Sequence, residues 1–295
     1  MYKRQYCGKP IQVEKSIRQY QVLRILGQGG MGTTYLARDQ ESHNLQGMAT
    51  SPATALVVLK EMNADMAQIR KAQELFEREA KALKSLSHPG IPKFFDFFVE
   101  EDKKYLAMEM IHGQDLEKRI VTQGPILPQQ AIEWMIQTCE VLAYIHSQDP
   151  PLIHRDIKPA NLLVRRHNNQ MVVLDFGAVK EIGTPLGTRI GAEGYSAPEQ
   201  DRGQPLTQSD LYAVGATLIF LLTAKSPMHF YSNHGNGYRF YIESVPTITP
   251  QLREVIEKVT QPLPSDRYKT ASALAEALKG CLSVSYTHLR AHETS

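Results

Sequence analysis

From Tyr20 the chain alternates apolar and polar positions with the period of a β-strand. YQVLRIL is followed by a glycine cluster, then TTYLARD, then ALVVLKEM at 55–62. The polar stretch 40–52 between the second and third runs reads as a long hairpin loop. Between Asp65 and Leu86 the period changes. Apolar residues recur at Ile69, Ala72, Leu75, Phe76, Ala80, Leu83 and Leu86, the spacing of one helix face. HPGIP (88–92) stops that helix, because its prolines cannot continue it. Two further strands, KFFDFFVE and KYLAMEMI, complete a β-β-β-α-β-β order. Beyond a boundary near 110–113, helical patterns dominate at 115–122, 128–147, 208–223, 249–260 and 270–281. A polar loop at 154–161 and a hairpin turning at RHNNQ interrupt them. The longest apolar run, Leu211–Leu222, spans only about 18 Å as a helix, too short to cross a bilayer, and predicts a buried helix.

Composition narrows the function classes. With 295 residues and 42% apolar content the chain can form one large domain or two lobes. Lys and Arg total 33 against 31 Asp and Glu, and a charge of +2 leaves no basic footprint for nucleic acid or an anionic membrane. Cys7, Cys139 and Cys281 are far apart and form no CxxC. That usage favours a reducing, cytoplasmic setting without structural disulfides or a zinc site. No coiled-coil or repeat pattern is present, so oligomeric state stays open.

The two ends read differently from the rest. MYKRQ (1–5) and VSYTHLRAHET (284–294) can be back-translated into one inverted repeat resembling a transposase-type sequencing adapter. The tail carries no helical or strand period. We therefore expect residues 1–5 and 283–295 to be adapter artefact and 6–19 to be a remnant, with flanking domains lost. Codons differing from the adapter strings in the nucleotide record would sink this expectation.

Candidate chemistry clusters at four places. GQGGMGTTY (27–35) joins two predicted strands, and its glycines let backbone N–H groups approach phosphate oxygens. On its own it equally describes an ordinary glycine-rich hairpin. Lys60 ends an apolar strand and needs a partner; Glu79, nineteen residues on, can supply one. A snorkelling lysine with a surface glutamate is the alternative. HRDIKPAN (154–161) and LDFG (174–177) hold what phosphoryl transfer requires. Asp156 offers a carboxylate to accept a hydroxyl proton, Lys158 a cation, and Asn161 and Asp175 oxygen ligands for Mg²⁺.

HRDIKPAN, DFG and SAPE together resemble the signature set of the protein kinases, and GQGGMGTTYLARD is similar to their bacterial-type Ser/Thr branch. Six specified positions in HRDxKPxN would recur by chance at ~10⁻⁸ per position. The resemblance covers residues 20–282 and implies an α+β, bilobal protein-kinase fold. A small β-rich N-lobe with one main helix (20–110) would precede a larger, mainly helical C-lobe (111–282). It implies ATP- and Mg²⁺-dependent transfer of the γ-phosphoryl group to Ser/Thr hydroxyls of protein substrates, with autophosphorylation of the activation loop.

Residue by residue, the resemblance implies that the loop Gly27, Gln28, Gly29, Gly30, Met31 and Gly32, with Leu26 and Thr34 beside it, covers the nucleotide. Lys60, paired with Glu79, would contact the α- and β-phosphates. Met108 would be the gatekeeper, backbone groups of Glu109 and Ile111 would read the adenine, and Asp115 would reach the ribose. Asp156 would be the catalytic base, Lys158 the γ-phosphate contact, and Asn161 and Asp175 the Mg²⁺ ligands. His154 and Phe176 would stack with Leu83, Glu199 would pair with Arg267, and Asp210 would cap the catalytic-loop backbone. His154 is expected to be a packed core histidine without acid–base work.

Three positions depart from the family pattern. Thr34 and Val58 replace the usual Val and Ala around the adenine, and Ala192 stands where a Thr hydroxyl usually bonds the catalytic Asp and Lys. Losing one such bond costs about 1–3 kcal/mol of preorganisation. Thr188, with Thr184 as a second candidate, sits where activating phosphothreonines occur, and Arg155 would receive the phosphate. Two other readings remain: a pseudokinase acting as a nucleotide-binding or scaffolding module, and a small-molecule phosphotransferase. APE, Asp210 and Arg267 oppose the latter because they belong to the protein-substrate branch.

Overall fold

The computed structural model describes residues 15–29, 32–41, 56–63, 69–181, 192–233 and 238–291, by backbone alone at 71, 181 and 283–291. The chain divides into two compact units, one of residues 1–84 with 93–110, the other of 85–92 with 111–295.

In the first unit the alternating segments become strands β1 (Lys15–Ile17), β2 (Tyr20–Gln28), β3 (Gly32–Asp39), β4 (Leu56–Met62), β5 (Phe94–Glu100) and β6 (Lys103–Glu109), with helix α1 (Arg70–Ser85) between β4 and β5. The sheet order is β1-β2-β3-β4-β6-β5, and every pairing is antiparallel. β1 was not anticipated, since three residues cannot display a period. It pairs Lys15 with Val22 and buries Ile17. The sheet curls until Tyr20 on β2 stacks on Phe98 of β5 at 5.8 Å, while Arg18 donates to Glu100 and to the Val99 carbonyl. Ile17, Tyr20, Val22, Tyr35, Ala37, Val57, Leu59, Phe98, Tyr105 and Ala107 fill the interior. Burial alone would raise the Glu61 carboxyl, but hydrogen bonds from Tyr105, Lys103 and Lys15 hold it below its ordinary range. Because successive side chains on β4 alternate faces, Val58 and Lys60 lie on the opposite face from Val57, Leu59 and Glu61.

In the second unit α2 (Leu116–Gln123), α3 (Pro128–His146), α5 (Thr207–Thr223), α6 (Pro250–Val259) and α7 (Ala271–Ala291) form the body, with a single turn, α4 (Pro198–Asp201), before α5. Short strands complete it: β7 (Gly113–Asp115), β8 (Leu152–Ile153), β9 (Leu162–Arg165), β10 (Met171–Val173), β11 (Lys180–Glu181), β12 (Tyr231–Asn233) and β13 (Tyr238–Phe240). α5, the longest apolar run, is buried on nearly every side, and α3 packs against both α5 and α7. Gly215 makes room for α6, since a Cβ there would collide with Val259 and Thr260. Among the described residues no helix is long and apolar enough to cross a membrane. α7 continues past the expected end at 281, with helical backbone to Ala291. After Gly280 the chain carries no glycine or proline before Ala291, so the helix begun on buried Leu274 and Leu278 has nothing to stop it.

The HPGIP turn that ends α1 is anchored in this second unit. Tyr144 on α3 accepts a hydrogen bond from the Ser87 N–H and stacks on His88 at 5.1 Å. Gly90 accepts from the Val173 N–H at 2.9 Å. A Cβ on Gly90 would collide with Val141 and come within 3.1 Å of the Met171 carbonyl oxygen. We expect Gly90→Ala to lower stability by about 1–3 kcal/mol through overpacking against α3. Urea denaturation checks this, and an unchanged midpoint would mean that the turn moves aside freely.

Candidate active site

In the first unit, β2 and β3 pair as a hairpin, with Gly27 opposite Thr34 and Gln28 opposite Thr33. The Gly29 N–H donates to the Gly32 carbonyl at 3.0 Å, and Asn63 Nδ2 donates to the Gly29 carbonyl at 3.0 Å. Gly30 and Met31 lie outside the described residues. A side chain at Gly32 would strike the Glu61 carbonyl, so glycine is required there for the close approach of β3 to β4. Thr34 stands opposite Lys60 in the β3–β4 register, and Val58 stands opposite Met108 in the β4–β6 register. The two departures from the family pattern therefore flank the lysine on one face of the sheet. Lys60 Nζ donates to Glu79 Oε2 of α1 at 2.5 Å, with Glu79 almost wholly buried and the lysine a quarter exposed. Phe76, one turn before Glu79, lies 6.0 Å from the same ammonium. At the end of β6 the Glu109 N–H donates to the Lys93 carbonyl.

In the second unit, the loop between β8 and β9 carries HRDIKPAN. Arg155 adopts φ +67°, a conformation that costs a side-chain-bearing residue of order 1–3 kcal/mol. What holds it is Asp210 at the start of α5. The buried carboxylate accepts the N–H of His154 and of Arg155, each at 2.8 Å, and bonds His146 Nε2 at 2.9 Å. The Arg155 guanidinium is buried and donates to the Ala178 carbonyl at 2.5 Å, while the Arg155 carbonyl accepts from Gln200 Nε2 at 2.7 Å.

This frame presents Asp156. Lys158 Nζ donates to both its carboxylate oxygens at 2.8 and 2.7 Å, and Asn161 Nδ2 donates to Oδ2 at 2.8 Å and to the Asp156 carbonyl at 2.8 Å. Both Asn161 bonds run from Nδ2, so among the described residues they leave Asn161 Oδ1 as an oxygen donor. Asp175 adopts φ +63°, which aspartate tolerates better than most, and accepts weakly from the Gly177 N–H at 3.4 Å. Its neighbour Phe176 is fully buried and meets His154 edge to face at 5.0 Å. Burial pushes the His154 pKa down, against the opposing pull of Asp210, Asp156 and Asp175. The imidazole is therefore neutral at pH 7, consistent with a packing role. Leu83, its expected stacking partner, is buried within the first unit.

Two expected residues behave differently from their simplest reading. Asp115 caps α2, accepting the Lys118 N–H at 2.8 Å on Oδ1 and pairing with Lys118 Nζ at 2.8 Å on Oδ2. A ribose hydroxyl would have to share that carboxylate. Ala192 contributes its carbonyl, which accepts the N–H of Tyr195 and of Ser196. Thr184 and Thr188 lie outside the described residues. Sequence reasoning missed His146 and Gln200, which brace the 154–161 loop through Asp210 and Arg155. Only the adjacency of Gln200 to Glu199 could have pointed to it.

The model of the protein kinase domain matches residues 20–279. The chain belongs to the protein kinase domain family. It is 33% identical over 291 residues to serine/threonine-protein kinase B of Synechocystis sp., covering 93% of this chain and 48% of that protein. It is 35% identical to serine/threonine-protein kinase D of the same organism, covering 90% and 52%. It is 31% identical to serine/threonine-protein kinase PrkC of Bacillus subtilis, covering 88% and 40%. The chain thus spans about half the length of the curated relatives it matches. Among solved structures, the kinase domain of Mycobacterium tuberculosis PknI aligns with a TM-score of 0.69 at 22% identity, covering 90% of this chain and 98% of that one, a likeness of fold. The bilobal α+β expectation holds.

Proposed function

We propose that this chain transfers the γ-phosphoryl group of ATP to Ser/Thr hydroxyls of protein substrates, with Mg²⁺ as cofactor. The observation that carries the reading is the Asp156 cluster: a carboxylate held by Lys158 and Asn161 on a loop fixed by Asp210. Asp156 would orient an incoming hydroxyl and accept its proton, a task that needs a carboxylate oxygen fixed within hydrogen-bond reach. Lys158 makes two hydrogen bonds to Asp156, and its ammonium has a third donor that could turn toward a γ-phosphate oxygen without leaving the aspartate. The Lys60 ammonium, aimed by Glu79, would contact the α- and β-phosphates. The glycine loop would bring Gly27, Gly29 and Gly32 backbone near the phosphates, with Leu26 and Thr34 alongside.

The donor set fits a hard cation. Asn161 Oδ1 and the exposed Asp175 carboxylate are oxygen ligands, which is what Mg²⁺ takes. When bound, Mg²⁺ would neutralise charge developing on the transferred phosphoryl group. Glu109 and Ile111 remain our assignment for the adenine edge and Asp115 for the ribose. The catalytic unit is taken as 20–282, and the buried free thiols of Cys139 and Cys281 support work in a reducing, cytoplasmic setting. A pseudokinase is not supported, because no charged group of the cluster is missing.

Radiolabelled ATP with a generic protein acceptor tests the proposal. Label on serine and threonine is expected with Mg²⁺, and none after chelation. Mass spectrometry after incubation with MgATP is expected to find phosphate on Thr188; unmodified Thr188 in active protein would refute activation by that route.

A further inference from the structure

The end of β4 carries two parts of the proposed phosphate site. Lys60 leaves it toward Glu79 of α1. Its neighbour Glu61, on the opposite face, is almost wholly buried. The Glu61 carboxylate accepts from the Tyr105 hydroxyl at 2.9 Å and from Lys103 Nζ and Lys15 Nζ at 3.2 Å each. Those bonds tie β4 to β6 and β1, so the strand is fixed where the lysine departs. Gly32 is seated on the same strand end. It pairs with Met62, and a Cβ there would strike the Glu61 carbonyl oxygen. The other side of the glycine loop has no such seat. Among the described residues, a Cβ built on Gly27 or Gly29 would meet nothing within 4 Å. Hydrogen bonds hold Gly29 instead: its N–H donates to the Gly32 carbonyl at 3.0 Å, and its carbonyl accepts from Asn63 Nδ2 at 3.0 Å. Asn63 stands one residue past the end of β4 and three after Lys60.

The bond to Asn63 matters for what it keeps away from the phosphates. A backbone phosphate site works by offering N–H groups to oxygen anions, and a carbonyl oxygen turned into it repels them. Between two glycines the peptide unit turns over at little cost, because no Cβ hinders either orientation. Gly29 is followed by Gly30, so the composition that lets the loop approach phosphates also lets the Gly29 carbonyl turn toward them. An amide donor on the fixed end of β4 removes that freedom, reaching back 34 positions to hold the oxygen. We propose that Asn63 is a positioning residue for the nucleotide phosphates, keeping the Gly29 carbonyl on β4 so that the loop presents N–H groups to them. One strand end then sets both the lysine and the loop. The identity of the ligand, a nucleoside triphosphate, rests on the kinase reading above.

The test is calorimetric titration of the full chain with MgATP and, separately, with adenosine, which has the same base and ribose but no phosphate. Asn63→Ala should weaken MgATP binding about three- to tenfold, the worth of one neutral hydrogen bond, and change adenosine binding by less than about twofold. In steady-state transfer to a protein acceptor the same loss should appear in KM for ATP, with KM for the acceptor unchanged. Asn63→Gln, which keeps the amide donor on a longer stem, should recover most of the MgATP affinity. A side chain that merely stabilised the first unit would, once removed, weaken both ligands alike. Equal losses for MgATP and adenosine, undiminished MgATP binding in Asn63→Ala, or no recovery in Asn63→Gln would therefore overturn the role of Asn63. A phosphate-selective loss in a protein that transfers nothing would leave that role standing and sink the kinase reading instead.

Discussion

Asp156→Asn is expected to lower phosphoryl transfer to a protein acceptor by at least ~10²-fold while leaving nucleotide binding and folding nearly unchanged. The substitution keeps size and shape, so the loop should hold. Its backbone is fixed by Asp210 through His154 and Arg155, and neither bond involves the Asp156 side chain. The chemistry is removed instead. An amide cannot take the hydroxyl proton, and its NH₂ group would face the donors of Lys158 or Asn161, which now both point at carboxylate oxygens. Lys158 would lose its ion pair and with it the orientation proposed to serve the γ-phosphate. Steady-state turnover with MgATP, set beside calorimetric nucleotide titration, separates the two effects. Wild-type-like turnover would overturn the assignment of Asp156, and lost nucleotide binding would show that the substitution disturbs more than the proton acceptor.

The parts legible in the sequence are those whose partners are close along the chain or whose residue types can do little else. Asp156, Lys158 and Asn161 fall within six positions, so one turn of loop brings them together whatever the surrounding fold. The long helices were legible because sixteen or more residues display a face, as α1 and α3 do. Asp210 came from the resemblance alone. Its bond to His154 spans 56 positions, and no local pattern encodes such a distance. His146 and Gln200 were missed for that reason, since their bonds span 64 and 45 positions. The hairpin of β12 and β13 was missed for another: three residues per strand carry no period, and its ring contacts are partly to Tyr212 on α5. β1 is the same case: three residues carry no period, and Ile17 packing into the interior and Lys15 reaching Glu61 hold it. The elements hidden from the sequence are therefore short and held by distant side chains.

Arg267→Met should destabilise the second unit by about 3–5 kcal/mol, lowering the melting temperature by roughly 6–20 °C. Arg267 and Glu199 form a buried, two-pronged pair, Nη1 to Oε1 at 2.7 Å and Nη2 to Oε2 at 2.9 Å, with Ser209 also donating to Oε1 at 2.6 Å. The guanidinium further donates to the carbonyls of Gln208, Gln261 and Pro262 and lies over the Tyr212 ring at 5.0 Å. Burial alone would raise the Glu199 carboxyl, but the bonds from Arg267 and Ser209 hold it below its ordinary range. A depressed carboxyl contributes stability above its unfolded pKa and loses it as pH falls through the folded value. In wild type the contribution is thus intact at pH 7 and fades only below the ordinary glutamate range. In Arg267→Met the sign reverses: a buried carboxylate with only Ser209 left takes up a proton more readily when folded, so acidification relieves its penalty. Urea denaturation at pH 7 and pH 5 should find the gap between variant and wild type narrowing at the lower pH. A gap that stays constant would mean that lost packing, and not an uncompensated charge, sets the cost. Because Glu199 precedes Gln200, whose amide holds the Arg155 carbonyl, the same variant should also loosen the loop that presents Asp156.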